Sequence, residues 1–206
     1  MIRCISVNVG GLWRTEVELE EEATWKDLKY KIEKVTGIWP FDQKLEPNGE
    51  NCDKCELEEG DDVFCDWKLS DRSHPLHHAA YIGNIEAIRS WLASGADVNV
   101  TDDDGRTPLM HACSNSKEGS VVELLRLGAN AQIKDNYDRT ALHFVADFFI
   151  INVEKIETIV KILIKAGCNS AIRNKSNETF IDVLKSRGYE KLITKLEEWM
   201  KETKKE

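Results

Sequence analysis

The chain has 206 residues, of which 41% are hydrophobic and 32% are charged, so it can bury the cores of two modest domains. No stretch approaches the roughly 18 apolar residues of a membrane helix, and residues 1–6 alternate too early for a signal peptide. We therefore expect no membrane association and a cytoplasmic location, with the nucleus as the alternative. The formal net charge of −9 comes almost wholly from residues 1–69, where 9 Lys and Arg stand against 17 Asp and Glu. This acidity disfavours nucleic acid as a partner and favours a protein with a basic surface.

The N-terminal segment has the pattern of a hairpin. Residues 2–9 alternate between apolar and polar side chains, which predicts a strand. Gly10-Gly11 is a typical tight turn, and Val17 and Leu19 continue the alternation in a second strand.

A helix is predicted after this hairpin, and a last strand closes the segment. The helix begins near Thr24 and ends at Gly37, and residues 57–65 indicate a turn that leads into the final strand. The apolar stripe of the helix has spacings of three and four residues and consists of Trp25, Leu28, Ile32 and Val35.

Two short stretches resemble ubiquitin-like domains. They are residues 37–45, with the sequence GIWPFDQKL, and the turn Gly60-Asp61-Asp62 before the last strand. The resemblance covers residues 1–69 and implies a β-grasp fold. Residues 67–69 continue directly into the next segment, whereas ubiquitin ends in a free Gly-Gly, so we expect no covalent modifier function.

The remainder of the chain repeats itself. Pro75, Pro108 and Ala141 follow one another at intervals of 33 residues, and each opens a segment rich in Leu, His and Ala. Gly128 and Gly167 close two such units at an interval of 39 residues, so the third unit holds an insertion of about six residues.

This period and motif resemble the ankyrin repeat, which implies stacked helix pairs. Thr107 and Thr140 occupy helix N-cap positions, and Pro108 occupies a first helical position. The fold class is therefore expected to be α+β, with a ubiquitin-like β-grasp domain followed by an all-α ankyrin solenoid. The expected domains are residues 1–69 and 70–206, with repeats at about 70–101, 102–134, 135–173 and a capping unit at 174–200. The combination resembles the animal ankyrin-repeat and ubiquitin-like-domain proteins.

The cysteines and histidines offer the only candidate chemistry. Cys52 and Cys55 form a CxxC motif near Cys65, but a tetrahedral metal site needs four ligands. His77 and His143 stand at the His of the ankyrin motif, where the resemblance implies structural hydrogen bonds. We therefore expect no catalytic residue, no metal and no cofactor, and the cysteine cluster remains an alternative metal-binding or redox-sensing site.

The insertion in the third unit places four large apolar residues, 148–151, where a tight turn is usual. They either join the core or form an exposed patch for a partner, and core packing is favoured.

The predicted function is that of a protein-binding scaffold or adaptor without enzymatic activity. The partner is expected on the ankyrin finger tips and the concave face, with the acidic N-terminal domain as a second surface. A second alternative is a non-catalytic part of a larger signalling protein. The predicted partner-binding residues are Tyr81, Ile82, Asp103, Asp104, Arg106, Ser114, Asn115, Asn136, Tyr137, Arg139, Asp147 and Phe148.

Overall fold

The computed structural model describes residues 2–9, 13–20, 25–36, 43–47, 62–67, 75–147 and 153–202. The chain divides into two compact units, one made of residues 1–79 with 84–97 and the other of residues 80–83 with 98–206. The domain boundary expected at residues 69 and 70 lies outside the described residues and stays a prediction, as does the placement of residues 148–151. No helix in the described ranges is long and apolar enough to cross a membrane.

The first unit contains a four-stranded sheet. The strands are β1 (Ile2–Val9), β2 (Trp13–Glu20), β3 (Gln43–Pro47) and β4 (Asp62–Trp67). Their order in the sheet is β2-β1-β4-β3. The central strands β1 and β4 are parallel, and each edge strand is antiparallel to its neighbour, β2 to β1 and β3 to β4.

Helix α1 (Trp25–Thr36) follows β2 and contacts it. Leu28 and Ile32 on α1 are fully buried, as is Val7 on β1, and Val17 on β2 is nearly so. These burials confirm the middle of the predicted helical stripe, whereas Val35 is half-buried and the side chain of Trp25 lies outside the described residues. One buried side chain in each of β1 and β2 agrees with the predicted phase, because one helix face and one sheet face share a core.

The helices of the repeat region come in pairs. They are α2 (Pro75–Ile82), α3 (Ile85–Ala93), α4 (Pro108–Ser114), α5 (Glu118–Arg126), α6 (Ala141–Asp147), α7 (Val153–Lys165), α8 (Phe180–Ser186) and α9 (Glu190–Glu202). The first unit contains α3 and most of α2. In the second unit, the first helices of the pairs, α4, α6 and α8, form one layer, and the second helices, α5, α7 and α9, form another.

Within the first unit, the C-terminal end of α1 is joined to the first ankyrin-type helix pair. The indole Nε1–H of Trp91 on α3 donates to the backbone carbonyl of Thr36, and both residues are buried. His78 Nε2 on α2 lies 3.0 Å from a carboxylate oxygen of Glu33 on α1. The N-terminal helix therefore covers apolar and polar groups of this helix pair.

Local signals at the helix ends act largely as the sequence predicts. Thr107 Oγ1 accepts from the Met110 amide at 3.4 Å, with Pro108 at the first position of α4. Gly128 closes the turn after α5 with φ 96°, a conformation that favours glycine. Thr140 was predicted to cap α6 with its hydroxyl. That hydroxyl instead lies 3.1 Å from a ring nitrogen of His143.

The last helix α9 has the predicted amphipathic pattern. Leu192, Ile193 and Leu196 are buried against the preceding elements, and Lys191 and Lys195 are exposed. A polar outer face at the end of a repeat stack is what a terminal unit requires.

Candidate functional site

Three turns with similar hydrogen bonds precede α4, α6 and α8, at residues 102–106, 135–139 and 174–178. We call them the first, second and third finger turns. In the second finger turn, Asp135 Oδ1 accepts from the amides of Tyr137 at 2.9 Å and Arg139 at 2.7 Å. Asp102 and Asn174 use the same side-chain oxygen in the first and third finger turns. A short side-chain acceptor thus bonds the amide four residues ahead in each turn, and in the first two turns it also bonds the amide two residues ahead.

The finger turns are also bonded to one another through their backbones. The Asn136 amide donates to the Asp104 carbonyl at 2.9 Å, and the Lys175 amide donates to the Tyr137 carbonyl at 3.0 Å. The three turns therefore form a connected row, and the side chains on them are held at fixed spacing.

An open pocket of about 450 Å³ lies between the second and third finger turns and the helices α6 and α8. We call it the arginine pocket, because three of its lining side chains are guanidinium groups. It is lined by Arg106, Tyr137, Arg139, His143, Asp147, Asn174, Lys175, Ser176, Glu178, Val183, Ser186 and Arg187.

Arg139 is the most constrained cation of the pocket. Its Nε and Nη2 atoms lie 2.8 Å and 2.7 Å from Oδ2 of Asp135, a carboxylate with no exposed side-chain surface. Its guanidinium carbon lies 4.5 Å from the ring centre of Phe144 and 5.2 Å from that of Tyr137. The ion pair and the stacking together fix the orientation of this guanidinium.

Asp147 is the carboxylate that faces the guanidinium groups. It accepts a hydrogen bond from Arg187 Nη2 and lies 3.8 Å from Arg139 Nη1, while 49% of its side chain remains exposed. Tyr137 is also exposed, at 51%. The pocket therefore combines fixed cations, one accessible carboxylate and an accessible aromatic ring.

His143 forms the structural hydrogen bonds that the motif predicts. Its Nδ1 accepts from the Thr140 amide at 3.1 Å, and its Nε2 lies 3.1 Å from the Glu178 carbonyl, so the proton of the neutral ring is on Nε2. Burial lowers the pKa of His143, and burial likewise lowers the pKa of His111, although Asp102 at 2.8 Å opposes the shift.

The structure brings four of the predicted partner-binding residues together in the arginine pocket: Arg106, Tyr137, Arg139 and Asp147. Tyr81 is exposed elsewhere, Ile82 is half-buried, and Phe148 lies outside the described residues.

The polar side chains among the remaining predicted residues are engaged within the repeats. Asn115 donates to the Tyr81 carbonyl at 2.7 Å, Asn136 donates to the Asp103 carbonyl at 2.9 Å, and the Ser114 hydroxyl donates to the carbonyl of His111. Asp104 lies 3.1 Å from a guanidinium nitrogen of Arg106. These side chains stabilise the turns, and whether they also contact a partner stays a prediction.

Lys175 and Arg187 line the pocket but were missed by sequence reasoning, because the fourth unit has a degenerate motif. A signal was available, since Asn174-Lys175 stands in the same place in the third finger turn as Asp135-Asn136 in the second.

Burial disfavours reactivity at the two cysteines whose side chains the structure describes. Cys113 and Cys168 are free and buried, and burial raises the pKa of both thiols. Cys52 and Cys55 lie outside the described residues, as does the side chain of Cys65, so the metal or redox alternative stays a prediction. Within the described part of the chain, no group of three or more His, Cys, Asp or Glu residues could hold a metal ion.

Comparison with known proteins identifies the repeat region. The family model for ankyrin repeats matches in three copies, over residues 76–174. Residues 76–174 are three ankyrin repeats. The match agrees with the paired helices and the finger turns, and ankyrin repeats generally mediate protein–protein interaction.

Several curated proteins share this similarity. The Arabidopsis thaliana protein XBAT35, whose name assigns it provisionally to the E3 ubiquitin-protein ligases, is 30% identical over 137 residues, which are 62% of this chain and 28% of that protein. The mouse B-cell lymphoma 3 protein homolog is 33% identical over 113 residues, 54% of this chain and 24% of that protein. The Drosophila melanogaster transient receptor potential cation channel subfamily A member 1 is 41% identical over 71 residues, 34% of this chain and 6% of the channel. The chain thus spans less than a third of each relative.

Proposed function

We propose that the chain is a non-enzymatic scaffold or adaptor that binds a protein partner across the arginine pocket and the finger turns. The observation that carries this proposal is the combination of exposed Tyr137 with the fixed guanidinium of Arg139 in one open pocket. Tyr and Arg are enriched among the residues that contribute most to protein binding, and a fixed side chain loses little entropy when a partner docks.

The N-terminal sheet supports a second part of the proposal. We infer a ubiquitin-like β-grasp domain because two antiparallel strands, a helix and two further strands, with the first and last strands parallel in the centre, are the arrangement typical of that fold. The acidic charge of residues 1–69 suits this domain as a second contact surface for a basic partner. Two contact surfaces on one chain are the basis of adaptor function.

The relatives support the same proposal at a coarse level. Proteins named as a ubiquitin ligase, a B-cell lymphoma 3 homolog and a cation channel carry similar repeats within much longer chains. Activities that differ so widely indicate that the shared segment supplies binding rather than chemistry.

The test is proximity labelling in cells with the wild type and with a Tyr81→Ala/Tyr137→Ala variant. Both rings are exposed, at 39% and 51%, so their removal leaves the fold intact. We expect a subset of labelled proteins to disappear. Arg139 is left in place in this variant because its loss would strand the buried Asp135 carboxylate.

The matched control is Val122→Ala, which removes a side chain that is 46% exposed on α5, in the layer of second helices. This control is expected to label the same proteins as the wild type. If the tyrosine variant also labels that unchanged set, the finger turns and the arginine pocket are not the binding surface.

A further inference from the structure

The lining of the arginine pocket has an excess of positive charge. Four lining side chains are cations and two are anions, and His143 adds no charge near neutral pH because burial lowers its pKa. Arg106 and Arg139 are engaged by Asp104 and the buried Asp135. Arg187 is engaged by Asp147, whose side chain is half exposed, and Lys175 is the fourth cation among the lining residues.

Lys175 is placed for contact with a ligand. It is exposed, and no ion pair of its ammonium group is found in the part of the chain that the structure describes. Its backbone amide donates to the carbonyl of Tyr137, so the residue is anchored beside the accessible aromatic ring while its side chain is exposed.

Asp147 shows that the pocket accommodates a carboxylate group. Its carboxylate is hydrogen-bonded to Arg187 and lies near Arg139, although half of its side chain surface faces solvent. An exposed ion pair of this kind is weak, so a carboxylate from another molecule can replace it at little cost.

Resting on the proposed function, we propose that the arginine pocket binds a Glu or Asp side chain of a partner segment. The Lys175 ammonium and the Arg187 guanidinium neutralise that carboxylate, Asp147 turns towards solvent, and Tyr137 packs on the neighbouring residue of the segment. A protein carboxylate fits better than a nucleic acid, because the pocket offers a small group of cations rather than the extended basic surface that a polyanion requires.

The experiment measures fluorescence anisotropy of labelled peptides with the full-length chain. Three peptide sets have equal length and aromatic content and carry Glu, Lys or Gln at the same positions. We expect the Glu set to bind most tightly and to weaken as salt rises. Lys175→Glu should weaken binding of the Glu set by about tenfold or more, because a like charge then faces the ligand. Asp147→Asn should strengthen it, because the competing internal carboxylate is gone.

The matched control is Lys191→Glu, which makes the same change of net charge at an exposed position on α9, outside the pocket. It should change the affinity by no more than about twofold. Circular dichroism and melting of each variant establish that the fold is retained.

The proposal is overturned if no set binds, if the Lys or Gln set binds best, or if a single-stranded oligonucleotide displaces the Glu peptides. Equal effects of the Lys175 and Lys191 substitutions would also overturn it. These outcomes leave the proposed function standing whenever the tyrosine variant still loses labelled partners in cells. An unchanged labelled set would instead remove the proposed function itself.

Discussion

Arg139 illustrates how one side chain serves both the fold and the candidate site. Its guanidinium lines the arginine pocket, but two of its nitrogens bond Asp135, whose carboxylate is fully buried. An uncompensated buried charge is more costly than the pair itself is favourable. An alanine substitution at this position would therefore report on stability as well as on binding.

Arg139→Met should lower the free energy of unfolding by about 3 kcal/mol, because Asp135 then keeps its charge without its cation. Adding Asp135→Asn should restore much of the loss, since the amide oxygen can still accept from the Tyr137 and Arg139 backbone amides. Urea denaturation of the wild type, both single variants and the double variant measures this coupling. If the losses of the two single variants simply add in the double variant, the ion pair contributes no interaction energy to stability.

His143 should make stability depend on pH. Burial lowers its pKa in the folded chain from the ordinary 6.5, so the unfolded chain takes up the proton first as the pH falls. Protonation would also put a hydrogen on Nδ1, against the Thr140 amide that donates to it. The free energy of unfolding should therefore decrease as pH falls below about 6.5, by up to about 1.4 kcal/mol per pH unit.

His143→Gln should be less stable than the wild type at neutral pH, because Gln cannot bond both Thr140 and Glu178 in the same way. Its stability should nevertheless depend less steeply on pH, with the remaining slope including His111, whose pKa burial also lowers. Denaturation at several pH values compares the slopes, and identical slopes would assign the pH dependence to other groups.

At the scale of elements, the finger turns and the helix ends are built from local bonds, whereas α1 and α3 are joined by contacts distant in sequence. Trp91 on α3 donates to the carbonyl of Thr36, 55 residues earlier. His78 on α2 and Glu33 on α1 lie 45 residues apart and form a partly buried pair. The helix of the N-terminal segment thus occupies a position on the first helix pair that a further repeat would otherwise cover.

Trp91→Phe should lower the free energy of unfolding by about 1–2 kcal/mol, because the buried hydrogen bond from the indole to the Thr36 carbonyl is lost while most of the ring packing is kept. The matched control is Trp199→Phe on α9, where the ring is only partly buried and stacks with Lys161. The control should cost less than about 1 kcal/mol. Equal losses in thermal or urea denaturation would mean that the indole hydrogen bond contributes nothing.

At the scale of the whole molecule, the compact units do not follow the boundary between sheet and repeats. The first unit contains the sheet, α1 and most of the first helix pair, and the second contains the later pairs. This division follows from the burial of Trp91 and His78 together with α1 residues. We therefore expect the first helix pair to depend on the N-terminal segment for part of its stability.

A chain that lacks residues 1–69 should keep the helices α4 to α9 but lose protection in α3. Trp91 and His78 would face water, and the backbone amides of Ile85–Ala93 should exchange faster. Hydrogen–deuterium exchange by mass spectrometry, with α7 as the internal reference, measures the difference. Unchanged exchange in α3 would show that the repeats are independent of the N-terminal segment.

Local patterns were enough to predict the helix pairs, their glycine ends, the two strands of the hairpin and the stripe of α1. Period, capping residues and alternation act within a few residues of one another, so their effect is already present in the order of the amino acids. The structural function of His143 was implied instead by the resemblance of its motif to the ankyrin repeat.

The candidate site required the folded chain. Arg187 and Asp147 are hydrogen-bonded although they are 40 residues apart in sequence, and no periodicity relates their positions. The same is true of Trp91 and Thr36, which are 55 residues apart. Arg139 and Asp135 lie close together in sequence, but the arginine is structurally necessary only because the Asp135 carboxylate is buried. Which charges are neutralised and which remain accessible depends on how the elements pack, and that is a property of the tertiary structure rather than of any local pattern.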